Sequence, residues 1–258
     1  MSVISIKPKF RFPMPGPFRQ AEPVDAALPL VKHLEELRDR LIKCAIGVTA
    51  TTVLSFVFIE RLMSILLDLA GTHPVQAIDP TETFGTYLQV ALTTGIGLAI
   101  PLLVYQILRF MSPGLKRNER RWLFVSLPFV AIAFLCGAAF CYYVVLPSAL
   151  NFLLSFGDPR ILKQVSLTKF VSFVSSFILA VGASFEMPIV VFLIAKLGIA
   201  SHKKLASWRK YALLLSFIIA AVITPTPDPI NQALVGVPLF LLYELGVQLS
   251  RFARKKQV

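Results

Sequence analysis

Apolar residues in this chain are gathered into long blocks, and the charged residues fall almost wholly between them. A helix needs roughly 20 apolar residues to cross a bilayer core, and shorter stretches are tolerated inside a bundle. On that rule six spans are predicted, over Lys43–Phe58, Tyr87–Phe110, Trp122–Leu146, Phe170–Leu197, Tyr211–Thr224 and Asn231–Ser250. The fifth is short. The run Pro225-Thr226-Pro227-Asp228-Pro229 ends it and opens the sixth, since proline closes one helix and suits the first turn of the next. The resulting hairpin is expected to thin the bilayer around it. Ahead of the first span, Leu30, Leu34, Leu37 and Leu41 recur at helical spacing, which predicts a surface helix abutting the membrane.

Composition turns this pattern into a class. With 56% hydrophobic and 16% charged residues and a mean hydropathy of +0.72, one soluble core cannot hide the apolar surface, so lipid must cover part of it. The predicted fold is an all-α polytopic membrane protein. A formal net charge of +12 would suit nucleic acid in a soluble domain. Here the cations sit at the ends of apolar blocks, which is topology control and argues against nucleic acid. Of the 26 Lys and Arg, 22 fall on one face of the six-span arrangement, leaving Arg61, Arg160, Lys163 and Lys169 on the other. The positive-inside rule then places both termini in the cytoplasm.

Residues 1–29 carry Pro8, Pro13, Pro15, Pro17 and Pro23 without a continuous apolar core, and are expected to form a disordered cytoplasmic tail rather than a cleavable signal. A membrane domain over 30–250 and a basic cytoplasmic C-terminus over 251–258 follow. No internal repeat of the inverted-transporter kind is evident. Cys44, Cys136 and Cys141 lie inside apolar blocks and read as small buried hydrophobes, not as metal ligands or a disulfide framework. No phosphate-binding loop, nucleophile dyad or His-Glu-x-x-His run is present, so neither an enzyme nor a cofactor is expected.

The acids carry the candidate chemistry. In the surface helix Lys32, Glu36 and Arg40 are four residues apart. Glu36 is either satisfied by those neighbours or free to accept an incoming guanidinium, which favours a bidentate carboxylate. Glu119, the one acid between Phe110 and Trp122, has the same two readings: neutralised by the cations around it, or available beside Glu36 as a selective dock for paired cations. Glu186, in Phe185-Glu186-Met187-Pro188, lies inside the fourth span. An acid there costs about 2.5 to 3.5 kcal/mol on insertion scales, which makes it a functional candidate by default. Pro188 is expected to kink that span. Gln106 is expected to bond a neighbouring helix, and Glu244 to snorkel. On the opposite face Glu82 and Asp228 read as structural caps.

Taken in order, His33-Leu34-Glu35-Glu36-Leu37-Arg38-Asp39-Arg40-Leu41, Pro101-Leu102-Leu103-Val104-Tyr105-Gln106 with Phe110, Asn118-Glu119-Arg120-Arg121, Phe185-Glu186-Met187-Pro188 and Thr224-Pro225-Thr226-Pro227-Asp228 resemble the TatC family of the twin-arginine protein translocase. The resemblance covers nearly everything from Leu30 to Ser250. It implies a receptor that binds twin-arginine signal peptides of folded cargo and recruits single-span TatA- and TatB-type partners for export driven by the proton-motive force. It further implies self-association, a concave bundle, and a bacterial or archaeal cytoplasmic membrane. Carried over by position, Glu36 and Glu119 are the arginine acceptors, and Arg38, Phe110 and Arg121 shape the surface. Glu186 and Gln232 face partner helices, with Gln106 as a further intramembrane polar contact. The alternative in another class is a proton-coupled secondary transporter working through Glu186.

Overall fold

A computed structural model describes residues 27–71, 74–111, 117–155, 158, 164–224 and 229–253. The chain is helical, and the elements follow the apolar blocks. Helix α1 (Ala27–Val57) fuses the charged surface stretch to the first span. It is 31 residues long, or roughly 46 Å at 1.5 Å per residue, so it exceeds a bilayer core of roughly 30 Å by several turns. α2 (Ile59–Asp68) is an additional short helix, amphipathic, burying Ile59, Met63 and Leu66. α3 (Glu82–Met111) runs 30 residues through Pro101.

The third block is broken locally but continuous overall. It comprises α4 (Arg117–Val125), α5 (Leu127–Phe140), a π-helical stretch over Cys141–Val145 and α6 (Leu146–Ser155). The π stretch has a local cause. Pro147 has no N–H to bond the carbonyl of Tyr143 four residues back, and its ring crowds that carbonyl, so the turn before it widens. The fourth block splits at the expected place into α7 (Leu167–Ser184) and α8 (Met187–Lys196), with Pro188 in the first turn of α8. Then come α9 (His202–Ser207), α10 (Arg209–Ile223) and α11 (Pro229–Ser250).

Among the described residues, five helical stretches are long and apolar enough to cross a membrane: Val31–Val57, Glu82–Met111, Arg121–Ser155, Leu167–Lys196 and Gln232–Ser250. The expected fifth of six spans is α10, whose 15 residues reach only about 22 Å. The described fold is therefore an all-helical polytopic membrane protein with five candidate spans plus this short helix. The expected tail begins to be helical at Ala27, and residues 1–26 and 254–258 lie outside the described residues. One departure from an all-helical chain is small: β1 (Val75–Gln76) pairs in parallel with β2 (Val165–Ser166), with Val75 opposite Val165.

The largest core lies among α2, α3, the π stretch, α6 and α7, and includes Val90, Leu146, Val171, Val174 and Phe177. By contrast, α1 leaves Ile46, Val53 and Val57 more than half exposed, as a lipid-facing helix does. It is held mainly by α3. The Thr51 hydroxyl donates to the Gly95 carbonyl at 2.8 Å, and a Cβ on Gly95 would stand 2.6 Å from the Thr52 Cα. Backbones approach this closely only where one partner lacks a side chain, the small-residue packing typical of helices in lipid. A similar approach joins α8 to α11, where a Cβ on Gly246 would meet the Pro188 Cα at 3.0 Å.

Gly95→Val forces α1 away from α3, and overpacking of this kind costs about 1 to 3 kcal/mol. Thermal unfolding of the purified protein in detergent is expected to show a midpoint several degrees lower, whereas Gly85→Val, where a Cβ meets nothing within 4 Å, is expected to leave the midpoint nearly unchanged. Equal midpoints for the two variants would contradict the seam.

Candidate docking surface and intramembrane acid

The α1–α3 seam rises from the Gly95 contact to a polar cluster at one end of the bundle. Glu36, in the charged first half of α1, is half-buried with 29% of its side chain exposed. Arg40, one turn on, is 18% exposed and donates from Nη2 to Glu36 Oε1 at 3.1 Å. Arg40 Nη1 donates to Gln106 Oε1 on α3 at 3.3 Å. Arg40 Nε is buried and has no partner among the described residues. One turn before Glu36, the His33 ring stacks on Phe110 at 4.3 Å between centroids. Beside Phe110, Arg109 Nη1 donates to the Tyr105 hydroxyl at 2.8 Å.

The sequence spacing brought Lys32, Glu36 and Arg40 to one face; the structure selects Arg40 as the partner of Glu36. That pair is partial. Among the described residues Glu36 Oε2 accepts no hydrogen bond, and an i, i+4 pair along one helix contributes only about 0.3 to 0.5 kcal/mol. Arg40, in turn, keeps a second acceptor in Gln106. A ligand guanidinium offering several contacts can therefore displace Arg40 from Glu36 at small cost.

The other expected surface residues are distributed around this cluster. Phe110 takes part in it directly through His33. Arg38 is exposed and lies 3.4 Å from Asp39, a solvated pair of little energetic weight. Arg121 is exposed on α4, and Glu119 lies on the same helix, its side chain outside the described residues. α4 is tied back to the bundle by Lys196, whose Nζ sits 4.3 Å from the Trp122 ring centroid. The backbone thus places Glu119 on a helix separated from the end of α3 by five residues.

Glu186 lies at the α7–α8 break and is 8% exposed. Its backbone carbonyl accepts from Ile189 and Val190. Its Oε1 is buried without a hydrogen-bond partner among the described residues. An unpartnered polar atom at such a depth is costly and calls for a reason. Gln106, buried on α3, accepts from Arg40 on α1 at 3.3 Å. Gln232 donates from Nε2 to the Phe217 carbonyl at 3.1 Å, so its amide joins α11 to α10.

On the opposite end, Glu82 grips two segments at once. Its Oε2 accepts from the Ile78 and Asp79 N–H groups at 2.6 and 3.3 Å, and its Oε1 from Ser166 Oγ and the Thr168 N–H at 2.9 and 2.8 Å. One carboxylate therefore ties the start of α3 to the β1–β2 bridge and the start of α7. Asp228, the other expected cap, lies outside the described residues. Sequence reading missed one ion pair: Arg209 donates to both oxygens of Glu244 at 2.7 Å, and Gln248 adds a third bond at 2.7 Å. Glu244 is thus the anchor of α10 on α11 rather than a snorkelling acid. The separation of 35 positions hides such a pair from any local pattern.

The family model described as Sec-independent protein translocase protein (TatC) matches residues 32–238. A TatC of Carboxydothermus hydrogenoformans is 37% identical over 90% of this chain and 97% of its own length. A TatC of Deinococcus radiodurans is 39% identical over 92% and 90%, and the chloroplastic TATC of Pisum sativum is 32% identical over 92% and 68%. A crystal structure of the twin-arginine translocase receptor TatC superposes with a TM-score of 0.75 at 35% identity, covering 86% of this chain and all of that one. Architecture, sequence and the ordered motifs agree, and this chain belongs to the TatC family of Sec-independent protein translocase proteins.

Proposed function

We propose that this chain serves as the receptor subunit of a twin-arginine translocase, binding twin-arginine signal peptides of folded proteins at the end of the α1–α3 seam. The observation that supports this most is the state of Glu36, a half-buried carboxylate with one oxygen held loosely by Arg40 and the other without a hydrogen bond among the described residues. A carboxylate already arranged to accept a guanidinium, and weakly paired, suits exchange with a peptide arginine. Glu119 on α4 supplies the second acceptor. Phe110, Arg38 and Arg121 shape the surround, in which exposed cations repel ligands of the wrong pattern.

The membrane organisation belongs to the same reading. α10 makes a short sixth crossing, the bundle is concave, and both termini lie in the cytoplasm of a bacterial or archaeal inner membrane. The membrane domain spans 30–250, with a cytoplasmic tail before it and a basic C-terminus over 251–258. Glu186 and Gln232 contact TatA- and TatB-type partner helices, and the chain associates with further copies of itself during export driven by the proton-motive force. The unpartnered Oε1 of Glu186 supports that role, since a donor from a partner helix would remove its desolvation penalty.

Two measurements test the dock. Binding of a twin-arginine peptide to the full chain in nanodiscs is expected to weaken more than tenfold in the double variant Glu36→Gln, Glu119→Gln, because truncating desolvated ion pairs typically costs about 2 to 5 kcal/mol. Glu36→Asp with Glu119→Asp is expected to lose less, and parental affinity in the Gln pair would refute the dock. Because Arg40 competes with the peptide for Glu36, Arg40→Gln is expected to tighten binding about twofold, the worth of an i, i+4 pair. A tenfold loss in that variant would instead make Arg40 an integral part of the peptide site.

A further inference from the structure

A second polar cluster lies where α8 and α11 end and α9 begins, and nothing in the arginine dock uses it. A cavity of about 510 Å³ is lined there by Ala195, Ser201, His202, Lys203, Ser250 and Arg251. No carboxylate is among these six. The Ser250 hydroxyl, 2% exposed, donates to the Val247 carbonyl at 2.6 Å, so its oxygen accepts from His202 Nδ1 at 2.8 Å. His202 Nδ1 also lies 3.1 Å from the Val247 carbonyl, which fixes the proton on Nδ1. His202 Nε2 is then an acceptor, and Arg251 Nε donates to it at 3.4 Å.

This relay has a consequence for Arg251. Its Nε is directed to the histidine, while among the described residues its Nη groups and Lys203 form no salt bridge. The nearest acid along α11, Glu244, is already occupied by both arms of Arg209 and by Gln248. Ser201 Oγ accepts from the Lys204 N–H at 3.3 Å, and among the described residues its hydroxyl proton is donated to no partner. Among the described residues the cavity thus presents an oriented guanidinium, an ammonium and a hydroxyl, with no carboxylate in its lining and only a longer-range attraction between Arg251 and Glu244.

Position identifies the occupant. Lys196 and Ser250 end two of the membrane-spanning stretches, and Ile199 and Phe252, which flank the cavity in sequence, are 62% and 82% exposed. Apolar side chains exposed at the end of a span belong at the bilayer interface, where a basic pocket between helices meets lipid headgroups. We propose that this cavity binds the phosphodiester headgroup of an anionic glycerophospholipid, with Arg251 as the bidentate ligand of the phosphate, Lys203 as a second cation and the Ser250–His202 pair as the positioning element. The arginine dock stands or falls separately, since the two share no residue.

Native mass spectrometry of the full chain, purified in detergent and exposed to an equimolar mixture of phosphatidylglycerol and phosphatidylcholine, tests this directly. Phosphatidylglycerol is expected to be retained at least fivefold over phosphatidylcholine. Arg251→Gln is expected to cut that preference at least threefold, and Lys203→Gln to cut it less. Lys210→Gln, a cation outside the cavity, is expected to leave it unchanged. Should Arg251→Gln fail to elute as a folded species, Lys203→Gln carries the comparison. Equal retention of the two lipids, or an equal loss in Lys210→Gln, would overturn the site. Loss of phosphatidylglycerol on adding millimolar inorganic phosphate would assign the cavity to free phosphate and overturn the lipid assignment.

Discussion

The seam between α1 and α3 is the constraint on which the candidate dock depends. α1 has most of its surface in lipid and little else in the bundle to hold it, so the position of Glu36 is set by what α1 shares with α3. Three kinds of contact follow one another along the seam: the Gly95 backbone against Thr51 and Thr52, the Arg40 guanidinium on Gln106, and the His33 ring on Phe110. Lipid supplies no hydrophobic drive between helices, so close van der Waals approach and hydrogen bonds must provide the attraction. Arg40 is divided between the two helices, bonding Gln106 on α3 while occupying only one oxygen of Glu36.

That double attachment explains why a carboxylate ringed by cations remains usable. Were Glu36 held on both oxygens, as Glu244 is by Arg209 at 2.7 Å, an incoming guanidinium would have to break two short charge-assisted bonds to displace its partner. The Glu36 pair engages one oxygen and sits partly in solvent. The contrast within one chain separates an acid used to fasten helices from an acid left open to exchange.

Much of this was legible in the sequence because apolar period and punctuation are local signals. The long spans, the break at Pro188 and the shortness of the helix before Pro225 all follow from residues near one another. α2 was not read, since its ten residues are amphipathic and too short to announce a span. The π stretch escaped the sequence reading because the third expected span stops at Leu146, leaving Pro147, whose ring widens the turn before it, outside that span. In the site, the i, i+4 spacing of Glu36 and Arg40 was visible, but the choice of Arg40 over Lys32 required Gln106, 66 positions from Arg40. The same holds for Arg209 with Glu244, for Glu82 with Thr168, and for the Ser250–His202–Arg251 relay. Each joins elements far apart in sequence, with no periodic signature to reveal the pairing.

The most direct measurement is site-specific photocrosslinking from positions 32 and 122, beside Glu36 and Glu119 with both carboxylates kept, to a folded cargo carrying either a twin-arginine or a twin-lysine signal. Crosslinks at both positions to the twin-arginine cargo, falling sharply for twin lysine, are expected, since a planar fork matches a carboxylate where a point charge does not. Crosslinks of equal strength for the two cargoes would contradict guanidinium recognition at this surface.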